Sequence, residues 1–177
     1  MITKREALKL FHKHMPKHLE KSQWIKHHSI WVSEIAFEIA KKIKKKHPHM
    51  HIHPHKVKIA WLLHDIGKAR DGNHELNSAQ ILREEGLHEI ADIIIHSFVY
   101  ELFLIEWEEK KEYLPQTIEN KILVYADFLF HKEQVTIHER IREIKERKKH
   151  ETKRLKALEL AESRLHVIAK EIEELIK

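Results

Sequence analysis

The segment Trp61-Leu62-Leu63-His64-Asp65-Ile66-Gly67-Lys68 carries an apolar run straight into an adjacent imidazole and carboxylate, then a glycine and a lysine. Such a run belongs in a core. A carboxylate drawn into a core with it is costly unless positive charge compensates it, and the neighbouring imidazole needs a use for its lone pair. Any fold this chain adopts must therefore bring compensating groups to His64 and Asp65, and a divalent cation would satisfy both. With no cysteine in the chain, that cation can be held only by nitrogen and oxygen, and disulfides are excluded.

The remaining sequence reads as helix. Three glycines and four prolines in 177 residues leave little material for tight hairpin turns. Residues 3–13 place Ala7, Leu8, Leu10 and Phe11 on one stripe. From about Trp24 to Ile43, apolar residues recur at spacings of three and four, with His28 on the apolar face and His27 about 100° away from it. Pro48 and Pro54 bracket a loop. A short apolar helix is expected over Lys56 to Ile66, ended by Gly67. Asn73 can cap a helix that runs to Glu85 and stops at Gly86, and Leu87 to about Tyr100 suits another. Thr117 can cap the helix bearing Ile118, Ile122, Leu123, Ala126 and Asp127. The expected class is all-α, and Trp24, Trp31, Trp61 and Trp107 are expected in its core.

Residues 131–177 read as a C-terminal helical extension to a domain over 1–130. Leu158, Ala161, Leu165, Ile168, Ile172 and Leu175 form a seam suited to packing against another helix. Ile137, Ile141 and Ile144 begin a second seam, but Lys145 to Arg154 lacks apolar residues. The tail is thus either a long helix or a hairpin. A hairpin is preferred, lying on the domain or on a second copy, so a homodimer through these helices is an expectation.

The pair His64-Asp65 within His-Asp-Ile-Gly resembles the signature of the HD-domain superfamily of metal-dependent phosphohydrolases, and other residues extend the likeness in order. His28, in His28-Ser29-Ile30-Trp31-Val32, resembles the family's first ligand histidine. Asp127, at the end of Ile122-Leu123-Val124-Tyr125-Ala126-Asp127, resembles its last carboxylate. His74 and His96 match the additional histidines of the dinuclear members, although Ser97 stands where some members have a further histidine. The resemblance implies a compact helical bundle. It also implies one metal held by His28, His64, Asp65 and Asp127, and a second held by His74 and His96 with Asp65 bridging. Lys68 matches a basic residue that often follows the pair and would steady a phosphoryl oxygen.

The activity implied by the resemblance is hydrolysis of a phosphoester, in a nucleotide or related small phosphorylated substrate, by water activated at Asp65 and its metals. One or two divalent transition ions (Fe, Mn, Co, Ni or Zn) would serve. A di-iron oxygenase on the same ligands and a non-catalytic nucleotide sensor are the alternatives.

Residues 1–60 carry a net +10 and residues 61–130 a net −8. The lysines at 41–46 read as cations closing a helix rather than as a nucleic-acid patch. No apolar run reaches the roughly 18 residues of a membrane span. Residues 1–10 do not read as a secretory leader, so a cytoplasmic setting is expected. Few Asn and Gln beside many Lys, Glu and Ile suggest a thermophile. The tract His47, His49, His51, His53, His55 reads as a solvated loop. His12, His14, His18, His88, His131, His138, His150 and His166 read as surface residues.

Overall fold

A computed structural model describes residues 2–15, 21–95, 98–129 and 135–177. Among these residues there are helices and no strands. They fall into two compact units, Met1–Ile95 and His96–Lys177.

The first unit holds α1 (Lys4–His14), α2 (Ser22–Lys46), α3 (Pro54–Leu63), a 3-10 turn (Ile66–Ala69), α4 (His74–Glu84) and α5 (His88–Ile94). Helix α3 lies at its centre, against α1, α2 and α5. Its C-terminal half leaves no polar face: Ile59, Ala60, Trp61, Leu62 and Leu63 are all buried, as is Val57 before them. A stretch apolar on every side must be surrounded, and this one is. Pro54 starts it, where a missing N–H costs nothing. The α helix stops at Leu63, three residues before the expected end, and Asp65 turns out of it with φ −103° and ψ 5°.

Gly67 is therefore not a helix terminator. Its amide donates to Ser78 Oγ at 2.8 Å. A Cβ there would fall inside van der Waals contact of the His74 carbonyl oxygen and the Ser78 amide nitrogen. Glycine is needed because the backbone of the 3-10 turn and that of α4 touch. Asn73 caps α4, its Oδ1 accepting from Leu76 N at 3.0 Å. At the other end Gly86, at φ +75°, donates to Arg83 O, and Leu87 donates to Leu82 O, a Schellman closure.

The expected single helix from Leu87 to Tyr100 is instead α5 and α6 (Val99–Leu104), with Ile95 extended between them. Three consecutive β-branched residues, Ile93 to Ile95, favour that exit.

The second unit contains α6, a 3-10 turn (Lys111–Tyr113), α7 (Ile118–Leu129), α8 (Ile137–Arg147) and α9 (Thr152–Ile176). Thr117 caps α7, accepting from Asn120 N at 3.1 Å. The tail is a hairpin: α8 turns at 148–151 into α9, whose seam of Leu158, Ala161, Leu165, Ile168 and Ile172 is buried against α6, α7 and α8. Arg164 grips the buried Glu101 carboxylate with Nε and Nη2 at 2.8–3.0 Å, tying α9 to α6.

Of the four tryptophans only Trp61 is core. Trp24 and Trp31 are about half exposed, and Trp107 is 96% exposed at φ +63°. The apolar stripe of α2 is narrower than its sequence suggests, and the aromatic rings flank it.

Gly67→Ala should lower the unfolding free energy by about 3 kcal/mol, because two rigid backbones must separate. Gly86→Ala, which meets only the strain of a left-handed residue, should cost about 1 kcal/mol. Urea denaturation of the two variants measures both.

Candidate metal centre

The residues of interest in the first unit come from four separate elements. α2 supplies His28, the end of α3 supplies His64 and Asp65, the 3-10 turn supplies Lys68, and the first turn of α4 supplies His74. His28 is buried on the inner face of α2 while His27 is exposed, as the periodicity predicts. His64 and Asp65 are each 1% exposed.

The centre of the arrangement is the Asp65 carboxylate. His64 Nε2 lies 3.3 Å from Oδ2, and His74 Nε2 lies 3.4 Å from Oδ1. Lys68 Nζ forms an ion pair with Oδ2. Burial opposes ionisation of Asp65, but the fields of His64, Lys68, His74 and His28 together outweigh it and hold the carboxyl well below the usual range. It is therefore charged throughout the range in which proteins work.

His64 is oriented by the end of its own helix. Its Nδ1 lies 2.6 Å from the Trp61 carbonyl oxygen, which also accepts from the His64 amide at 3.5 Å. The natural assignment has Nδ1–H donating to that carbonyl, which leaves Nε2 facing Asp65. An imidazole lone pair set against a carboxylate is stable only with a cation or proton between them. Asp65 Oδ1 is fully buried and has no hydrogen-bond partner. One ligand atom from each of His28, His64 and Asp65 lies within 4.8 Å of the others. Two imidazoles and a carboxylate with an unsatisfied oxygen, at that spacing, fit a divalent transition metal. Among the described residues this is the one group with such geometry.

The rings around the centre are also ordered. His28 and His64 lie 5.7 Å apart between centroids, and Trp61 packs edge-on against His64 at 4.3 Å. Trp24 stacks on His28 at 5.2 Å with the planes 4° apart.

Two candidate ligands remain. Asp127 lies in the last turn of α7, half-buried, in the second unit. His96 lies outside the described residues, as do Ser97, His18 and His131. The other described histidines enter no such group. His49, His51, His53 and His55 are exposed, and His47 is half-buried.

The family model for the HD domain matches residues 25–130. The chain belongs to the HD-domain family. Members of this family are generally metal-dependent phosphohydrolases, and HD domains bind divalent metals. A relative in Methanocaldococcus jannaschii, itself described as uncharacterized, is 35% identical over 134 residues, which is 71% of this chain and 78% of the relative. No solved structure matches. The HD match begins at Ile25 and takes in His28, His64, Asp65, His74, His96 and Asp127.

Sequence reasoning missed one residue of this centre. Glu75 is buried, and its Oε2 lies 3.1 Å from His74 Nδ1. In the sequence it looks like an acid complementing the start of a helix.

After chelation and dialysis against manganese, the wild-type protein should retain metal on elemental analysis. His28→Ala, His64→Ala and Asp65→Asn should each lose it, whereas His27→Ala should retain it.

Proposed function

We propose that this chain is a metal-dependent phosphohydrolase that cleaves a phosphoester of a nucleotide. The observation that carries this reading is the buried, charged Asp65, with one oxygen unsatisfied and imidazoles on both sides. His28, His64 and Asp65 would hold the catalytic cation, with His74 on the far oxygen of Asp65 for a second. Family resemblance, rather than a distance, makes Asp127 and His96 the remaining candidates. A divalent cation bound there lowers the pKa of water and draws charge from a phosphoryl oxygen.

The chain's own residues do the rest. Trp61 fixes the His64 ring through its carbonyl, so that Nε2 is presented without rotational freedom. Lys68 is different in kind: its side chain is 32% exposed, and a flexible stem carries its ammonium beside Asp65. It can turn to a phosphoryl oxygen and offset the negative charge that grows there as the ester bond breaks. The nucleotide preference is supported by Trp24. Its ring lies flat on His28 and is 49% exposed, which suits a base stacked next to the phosphate site.

The test is phosphate release by manganese- or cobalt-loaded protein across nucleoside mono-, di- and triphosphates, cyclic nucleotides and p-nitrophenyl phosphate. Asp65→Asn should lower kcat on the order of 10³-fold and Lys68→Ala about 10²-fold. Trp24→Ala should raise KM for nucleotides and leave that for p-nitrophenyl phosphate unchanged. Loaded protein that releases phosphate from none of them, or that consumes oxygen instead, refutes the reading.

A further inference from the structure

We propose that Glu75 is a positioning residue: its carboxylate accepts the Nδ1 proton of His74 and thereby presents His74 Nε2 to a second divalent cation at Asp65 Oδ1. The inference rests on the metal centre proposed above, but it concerns a residue outside that ligand set.

The first support is burial. Glu75 is 6% exposed, and a carboxylate is rarely so enclosed without a partner. Its ion-pair partner among the described residues is His74, with Oε2 3.1 Å from Nδ1. No lysine or arginine is paired with it there.

The second support is that α4 does not need Glu75 at its start. Asn73 already caps the helix through Leu76 N. An acid serving only the helix dipole could do so exposed in the same turn, without the loss of hydration that burial imposes on a carboxylate. Glu75 instead turns inward, beside the imidazole that faces Asp65.

The third support is the match with His64. In both imidazoles Nδ1 lies close to an oxygen, hydrogen-bonded at 2.6 Å to the Trp61 carbonyl for His64 and at an ion-pair distance of 3.1 Å from the Glu75 carboxylate for His74. In both, Nε2 is left facing an oxygen of Asp65, at 3.3 Å to Oδ2 and 3.4 Å to Oδ1. A metal-ligating histidine works in this way, with one nitrogen fixed by an acceptor and the other free to bind. The backbone under His74 is already held, because its carbonyl packs on Gly67 and Ser78 Oγ accepts from Gly67 N. Ring rotation and the site of the proton remain to be set, and Glu75 sets both. A carboxylate also makes the ring more basic than a carbonyl would, which strengthens binding at Nε2.

The experiment titrates zinc alone into metal-free wild type, Glu75→Met and Glu75→Gln, each checked for an unchanged thermal unfolding curve. Glu75→Ala replaces the methionine variant if that fails to fold. The wild type should bind two equivalents. Glu75→Met should keep the first and bind the second 10- to 100-fold more weakly. Glu75→Gln, which retains an acceptor without the charge, should restore most of that loss. Nitrogen-15 NMR of the zinc-loaded proteins should show a slowly exchanging, downfield Nδ1 proton on His74 in wild type and Glu75→Gln, absent from Glu75→Met. Equal second-equivalent affinity in wild type and Glu75→Met overturns the inference and leaves the metal centre standing. So does a wild type that binds one equivalent. A glutamine variant as weak as the methionine variant overturns it too, by making charge rather than proton acceptance the cause. A wild type that binds no zinc removes the metal centre itself.

Discussion

A carboxylate sealed from water must be compensated, and in this protein Asp65 sets the terms for the first unit. His28, His64, Lys68 and His74 reach it from α2, the end of α3, the 3-10 turn and α4. Each of those elements is placed by apolar packing or a cap, and each carries one positive or proton-bearing group to the same oxygen atoms. Burial of an ion is tolerated only when several partners share it. Here three of the partners, the imidazoles, are also the candidate metal ligands. The stability of the unit and its proposed chemistry thus draw on the same residues, and a change to one should affect the other.

Gly67 is what allows α4 to take part. The distance from Asp65 to His74 is nine residues of sequence but 3.4 Å in space, and it is closed by laying the 3-10 turn directly on the backbone of α4. Ser78 and Asn77 then hold the turn: Ser78 accepts from Gly67 N, and Asn77 Nδ2 donates to Asp71 O at 2.9 Å. Removing a side chain at position 67 does here what adding one does elsewhere in a core. Two polar backbones can approach only where no Cβ stands between them.

Much of this was readable from the sequence because it follows from periodicity and chemistry. His28 is separated from His27 by its position on the α2 stripe. His64 and Asp65 are marked by the apolar run before them. Asn73, Gly86 and Thr117 act as the caps their types suggest. The unread parts share a cause, which is that they depend on approach between distant segments. The early end of α3 reflects the turn that Asp65 makes toward its partners. The two seams favour the hairpin of α8 and α9, but its turn closes without a glycine or proline, so only the turn's position lacks a signature. The exposure of Trp24 and Trp31 depends on which edge of the stripe meets a neighbour. Glu75 was hidden by a sufficient local explanation, the helix start, and only its inward orientation distinguishes it.

The partners of Asp65 differ in how readily they can leave it. His64 is pinned by Trp61 and enclosed by Trp61 and His28, so moving it would open the core. His74 is tied through Gly67 and Ser78. Lys68 has neither restraint, being partly exposed on a flexible stem. An ammonium held by one charge-assisted hydrogen bond to Asp65 can exchange its place for another cation without unpacking anything, at the cost of that contact and with a gain of rotamer freedom. The site therefore combines rigid imidazoles, which would define where a proposed cation sits, with a mobile positive charge that is free to follow an anion. That division suits the proposed phosphohydrolase, with fixed candidate ligands for a metal and a movable charge for a phosphoryl oxygen.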